Sequence, residues 1–104
     1  EVFNRIIKND IRFLKREEIQ SSGYVVHSLE ASIWTFMNSE SYEETVLKAV
    51  NLGDDTDTTA AIAGGLAGVF YGSQSFPQTW YNSLLRLADI ENLCNKLELK
   101  YFSV

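Results

Sequence analysis

Three aspartates and two threonines crowd residues 54–58 of the 104-residue chain, as Asp54, Asp55, Thr56, Asp57 and Thr58, immediately before a stretch without charge. Two chemistries compete for such a cluster. A helix starting just after it would favour an acid at its N-terminus, with Asp55 or Thr56 as the cap. That accounts for one carboxylate. Three at this spacing repel one another, and a bound cation relieves the repulsion most directly. Carboxylate oxygens are hard donors, which points to magnesium, manganese or calcium. An EF-hand loop is excluded: counted from Asp55, its sixth position holds Ala60 instead of glycine and its twelfth Leu66 instead of glutamate. On the residues alone, capping and metal binding both stand.

Helices must position this cluster. Val2, Phe3, Ile6, Ile7, Ile11, Phe13 and Leu14 recur at three- and four-residue steps among Arg, Lys, Asn and Asp, which predicts a first amphipathic helix ending near Glu18. Its basic residues read as a solvated face. After Ser21, Ser22 and Gly23, the residues Val26, Leu29, Ile33, Phe36 and Met37 mark the buried stripe of a second helix, widened by Trp34, with Tyr24 and Val25 in its first turn. Ser41 with Glu44 has capping-box spacing for a third helix over Tyr42, Val46, Ala49 and Val50, which Gly53 closes. The acids therefore fall in an interhelical loop.

A fourth helix follows, and Ala60, Gly64, Gly68 and Gly72 leave one of its ridges nearly bare, which suits close approach of another backbone and a central, buried position. Pro77, with Ser75 before it as a cap, opens a fifth helix bearing Trp80, Leu84 and Leu87. Asp89 caps a sixth with a stripe of Ile90, Leu93, Cys94 and Leu97. No alternating strand pattern competes, so the expected class is all-α, an orthogonal bundle of about six helices forming a single domain over residues 1–104.

Outside the acid cluster, Ser22, Gly23 and Tyr24 open the second helix, where free amides suit phosphate or ribose oxygens, although Tyr24 reads equally as packing. His27, the one histidine, reads as a packed or solvated helix residue, because no carboxylate is in register with it beyond Glu30, itself read as structural. Cys94 is expected to be a small buried hydrophobe, and Trp34 and Trp80 to lie in the core.

Composition narrows the function further. A formal charge of −5, with basic residues gathered mainly within residues 5–16, leaves no broad basic surface, so nucleic acid is excluded as a partner. The uncharged run over residues 58–85 is interrupted by Gly, Ser, Gln, Asn and Pro, and its apolar part, residues 60–71, is too short to span a bilayer, so no membrane partner is expected. A lone cysteine and a start without signal-peptide layout make a cytoplasmic location the expectation.

The stretch GYVVHSLEASIWTFMNSESYEETVLKAVNLGDDTDTTAAIAGGLAGVFYG resembles the C-terminal part of the ADP-ribosylglycohydrolases, the family that includes the dinitrogenase reductase-activating glycohydrolase. The resemblance runs over about residues 21–97, and its most specific element is the Gly-x-Asp-x-Asp-Thr pattern leading into the Ala/Gly-rich helix. It implies that Asp55, Asp57 and Thr58 are ligands to a pair of magnesium or manganese ions, with Asp54 a bystander where the family usually has glycine. It also places the turn with Gly23 and Tyr24 near the substrate cleft, and it implies hydrolysis of the bond between ADP-ribose and a modified protein or small acceptor.

The family's N-terminal half carries a Gly-Asp-Ala segment and a Thr-Asp-Asp cluster that completes the metal shell, and residues 1–20 resemble neither. The expectation is a fragment of the larger fold, holding one half of the dinuclear site and inactive or nearly so by itself. The alternative is a non-catalytic helical remnant that self-associates or pairs with a separate N-terminal half.

Overall fold

The computed structural model describes residues 3–8 and 10–102. Six α-helices and no strand occur among them: α1 (Asn4–Lys8), α2 (Val25–Met37), α3 (Tyr42–Val50), α4 (Thr56–Tyr71), α5 (Gln78–Asn82) and α6 (Leu87–Tyr101). The all-helical expectation holds. Single 3-10 turns stand at Ile11–Phe13, Arg16–Glu18 and Ser73–Ser75.

The centre is the packing of α4 against α3 and α2. Its deepest residues are small: Ala31 and Thr35 of α2, Thr45 and Ala49 of α3, and Thr59, Ala63 and Ala67 of α4 have no exposed surface. Ser32 is equally buried. Most hydroxyls at this interface are satisfied by acceptors that the helices themselves supply, whereas the buried Thr59 Oγ1 has no partner among the described residues. Ser32 donates to the Ser28 carbonyl at 2.6 Å, Thr35 to Ala31 at 2.7 Å and Thr45 to Ser41 at 2.8 Å. Ser32 also reaches the Thr59 carbonyl at 3.2 Å, a direct tie between α2 and α4.

The expected stripe of large residues is therefore only part of the core. Met37 and Val50 are exposed, and Leu29, Ile33, Phe36 and Trp34 are half-buried. Trp80 is half-buried as well. The small side chains let the helices close to short range, which pushes the larger ones to the margins of the interface.

On α4 the ridge at Ala60, Gly64 and Gly68 lies beside the buried one at Thr59, Ala63 and Ala67. Side chains cover it, and no backbone does: the space of a Gly64 Cβ faces Tyr42 and Val46 at 3.8 Å, and that of Gly68 faces Phe76 at 3.7 Å. Gly72 ends the helix at φ 84°, a left-handed value that glycine adopts without strain. The expectation of a buried α4 is true of one face; Val69 and Phe70 are exposed.

The first expected helix is not continuous to Glu18. After α1 the chain breaks into two 3-10 turns, with Asp10 capping the first through the Arg12 amide at 3.1 Å. The apolar residues there serve different contacts: Ile11 and Ile19 are buried, whereas Ile7 and Phe13 are exposed. Val2 of the predicted stripe lies outside the described residues. Nor are the arginines merely solvated. Arg5 faces the buried Glu30 carboxylate at 3.7 Å and donates to the Glu18 carbonyl at 2.9 Å, and Arg16 donates to the Leu52 carbonyl at 2.9 Å. Glu30 has a structural partner, as the sequence reading held.

Capping departs from expectation in detail. Ser41 caps α3 by accepting the Glu44 amide at 3.0 Å, but Glu44 returns to the Glu40 amide, one residue earlier than a capping box requires. Ser75 caps nothing at α5; its hydroxyl donates to the Gly72 carbonyl at 2.6 Å. Asp89 lies inside the first turn of α6, bound to Arg86 at 2.8 Å, and Arg86 itself takes the position before the helix at φ 58°. Leu84 falls between α5 and α6 instead of on α5.

No residue of α6 is buried, and Leu93, Leu97 and Cys94 are exposed, so the expected burial of Cys94 is overturned. The helix lies along a groove of about 580 Å³ shared with Tyr42, Phe76 and Trp80, too open to enclose its stripe. Among the described residues no helix is long and apolar enough to cross a membrane.

Candidate metal centre

The acid cluster is built by the close of α3 and the start of α4. Gly53 and Asp54 both take left-handed backbone, at φ 93° and 57°, which turns the chain back toward α4. Asp54 is one of two non-glycine residues there among those described, and aspartate tolerates this region better than most side chains. Glycine, usual at this position in the resembled family, would adopt it freely.

Asp55 occupies the position before α4, yet its side chain makes no capping bond to the helix amides. Its Oδ1 instead accepts the Thr58 hydroxyl at 3.0 Å. The capping explanation thus does not hold for Asp55. Asp57 accepts the Thr58 amide at 3.0 Å. Its carboxyl is held below the usual carboxylate range, chiefly by hydrogen bonding with Asp55 and next by that amide. Asp55 is half-buried, and Asp57 and Thr58 are exposed. Thr59, one position on, turns its side chain into the core, which separates the two neighbouring threonines by role.

The turn before α2 lies directly against this cluster. The Asp55 amide donates to the Ser21 carbonyl at 2.8 Å, and the buried Ser21 hydroxyl donates to the Gly53 carbonyl. Gly23 presents bare space to Asp55: a Cβ there would sit 3.5 Å from Oδ2. Tyr24 is 51% exposed beside it. All five residues singled out from the sequence, Gly23, Tyr24, Asp55, Asp57 and Thr58, therefore belong to two adjoining turns at the N-termini of α2 and α4.

Three contacts escaped the sequence reading. Ser21 ties the turns together, Arg16 braces the Leu52 carbonyl just before them, and Ser22 meets His27 Nδ1 at 2.7 Å. A serine pair just ahead of a helix is a local signal for side-chain-to-backbone bonding and could have flagged the first. The others depend on tertiary contact or on the turn's geometry.

The donor set is hard: two carboxylates and a hydroxyl within four residues, which fits magnesium or manganese in kind. Among the described residues, no group of three or more His, Cys, Asp or Glu is arranged to hold an ion. Asp55 and Asp57 would supply part of a coordination shell.

A family profile described as ADP-ribosylglycohydrolase matches residues 3–103, so the likeness extends into the first segment and beyond the stretch apparent from the motif. The chain is 43% identical over 83 residues to an ADP-ribosylarginine hydrolase of Serratia proteamaculans, covering 80% of this chain and 23% of that protein. It is 43% identical over 82 residues to an ADP-ribosylarginine hydrolase of Pseudomonas putida, covering 79% and 22%. With the ADP-ribosyl-[dinitrogen reductase] glycohydrolase of Rhodospirillum rubrum it shares 35% over 65 residues, 62% of this chain and 22% of that one. The chain thus spans less than a quarter of the length of these relatives. With the profile covering nearly all of its residues, the chain belongs to the ADP-ribosylglycohydrolase family.

Proposed function

We propose that this chain carries the C-terminal half of a dinuclear magnesium or manganese site that hydrolyses ADP-ribosyl linkages, with Asp55, Asp57 and Thr58 as its ligands. The observation that carries the reading is the state of Asp55: a carboxylate at a helix start that accepts no helix amide and faces the bare side of Gly23. Its oxygens are directed to the Thr58 hydroxyl, the Asp57 carboxyl and the side-chain-free face of Gly23, which suits a cation more than a cap.

When bound, the ion pair would supply Lewis acidity at the ribose and a positioned water for attack at the anomeric carbon. The chain's own residues do the rest. Asp55 and Asp57 provide negative charge, the Thr58 hydroxyl orients Asp55, and Gly23 leaves room for a ribose or phosphate oxygen beside it. Tyr24 offers an exposed aromatic face at the same edge. The substrate class is an ADP-ribosylated protein or small molecule, and the relatives named as ADP-ribosylarginine hydrolases favour linkage to arginine.

The remaining metal ligands come from a segment beyond these residues, so the 104-residue chain is inactive or nearly so on its own. Two measurements test this. Manganese titration followed by electron paramagnetic resonance should detect weak binding that Asp55→Asn and Asp57→Asn each reduce at least about tenfold. Mixing the chain with the N-terminal three-quarters of the Serratia relative should restore release of ADP-ribose from ADP-ribosylarginine. Unchanged manganese binding in both variants would sink the metal assignment, and robust turnover by the chain alone would sink the half-site reading.

The exposed apolar residues of α6 and of the outer face of α4 favour a second role beside this one. Surfaces of that kind pair with a partner, either the N-terminal half or another copy.

A further inference from the structure

We propose that His27 is the positioning residue of the turn that presents Gly23 and Tyr24 to the Asp55 carboxylate. The inference deepens the function proposed above and rests on it for the turn's purpose, but not for the turn's order.

The turn has two anchors. On one side, the Ser21 carbonyl accepts the Asp55 amide and the Ser21 hydroxyl donates to Gly53. On the other, everything converges on Ser22 and His27. The Ser22 carbonyl accepts the Ser28 hydroxyl at 3.0 Å, the Tyr24 amide donates to Ser22 Oγ at 3.3 Å, and Ser22 Oγ lies 2.7 Å from His27 Nδ1. The His27 ring also meets the Tyr24 ring edge-on, with centroids 5.0 Å apart and planes at 89°. That is the ring contact Tyr24 makes among the described residues, and Tyr24 is half in solvent. His27 thus touches both residues that flank Gly23 and holds one by its nitrogen and the other by its ring.

The hydrogen bonds also have a direction. Ser22 Oγ takes the Tyr24 amide proton, which polarises its own hydroxyl to donate onward. With Nδ1 as the acceptor of that hydroxyl, the neutral ring carries its proton on Nε2. A residue that only filled space would show no such preference.

Two substitutions separate these contributions. His27→Asn keeps an acceptor near the position of Nδ1, and His27→Phe keeps a ring edge for Tyr24 but offers Ser22 no acceptor. In the uniformly 15N-labelled chain, long-range nitrogen–proton correlation in alkaline buffer should find the Nε2–H tautomer. Backbone relaxation should find residues 22–24 ordered in the parent and in His27→Asn, and mobile in His27→Phe, with far-UV circular dichroism unchanged in all three. A Nδ1–H tautomer, or a turn equally ordered in His27→Phe, overturns the proposal.

ADP-ribose titration with manganese present then reads the turn's purpose. Affinity should fall about tenfold in His27→Phe and be largely kept in His27→Asn, the scale expected for one lost supporting hydrogen bond. Absence of ADP-ribose binding by the parent chain would count against the proposed function, while the tautomer and relaxation measurements would still decide the role of His27.

Discussion

Asp54 is the residue at which backbone physics and the family pattern meet. It stands at φ 57° between Gly53 and Asp55, in a conformation that costs an L-residue roughly 1 kcal/mol or more and glycine almost nothing. Asp54→Gly should therefore raise stability by up to about 1 kcal/mol, read as an upward shift in Tm, while Asp54→Val should lower it. Manganese affinity should persist in Asp54→Gly, because the proposed ligands are Asp55, Asp57 and Thr58. The three aspartates were plain in the sequence; that Asp54 sits in left-handed backbone, and that Asp55 does not cap α4, required backbone angles and hydrogen bonds. His27 was passed over for a related reason. Its partner is a serine five residues earlier, outside the helix, where helical register offers no guide.

At the scale of elements, the glycine ridge of α4 makes a graded prediction. A Cβ at residue 68 would meet Phe76 at 3.7 Å and Tyr42 at 4.0 Å, which is ordinary contact. Gly68→Ala should accordingly be neutral or stabilise by up to about 1 kcal/mol through helix propensity. Gly68→Leu should destabilise by about 1–3 kcal/mol, since its further atoms must displace those rings. Equal Tm values for the two variants would contradict the packing. The start of α3 gives a pH dependence. Hydrogen bonding to the Lys48 ammonium, then to the Glu40 amide, holds the Glu44 carboxyl below its usual value. A depressed folded pKa contributes stability above the unfolded carboxylate value, and that contribution is lost as pH falls through the folded pKa. Protection of the Glu40 amide, measured against its intrinsic exchange rate, should thus be lost as pH falls through the depressed Glu44 value, and Lys48→Met should move the onset upward. Two helices were legible beforehand, α2 from its strong periodicity and α3 from its serine cap. The first segment was not, because its apolar spacing suits a helix as well as a pair of turns, and contacts with Glu30 and Leu52 decide between them.

For the whole molecule, burial is uneven: α2, α3 and α4 share a core of small side chains, whereas α6 has no buried residue. Hydrogen exchange should follow this division, with the strongest protection in the middle of α2 and α4 and the weakest in α6. Limited proteolysis should cut first around the exposed residues 83–86, where Arg86 takes left-handed backbone. Protection of α6 equal to that of α4 in dilute solution would mean that another surface covers its leucines.

By itself the sequence determined the all-helical class, the order of the main helices and the identity of the acid motif, because periodicity, caps and a short charged cluster are local properties of the chain. Tertiary structure decided what those pieces do together. Small residues, not the larger stripe, form the deepest contact; Arg5 serves a buried carboxylate; Cys94 is exposed; and the turns before α2 and α4 adjoin. Each of these depends on which surfaces meet across long stretches of sequence, and helical spacing specifies a face without specifying its neighbour.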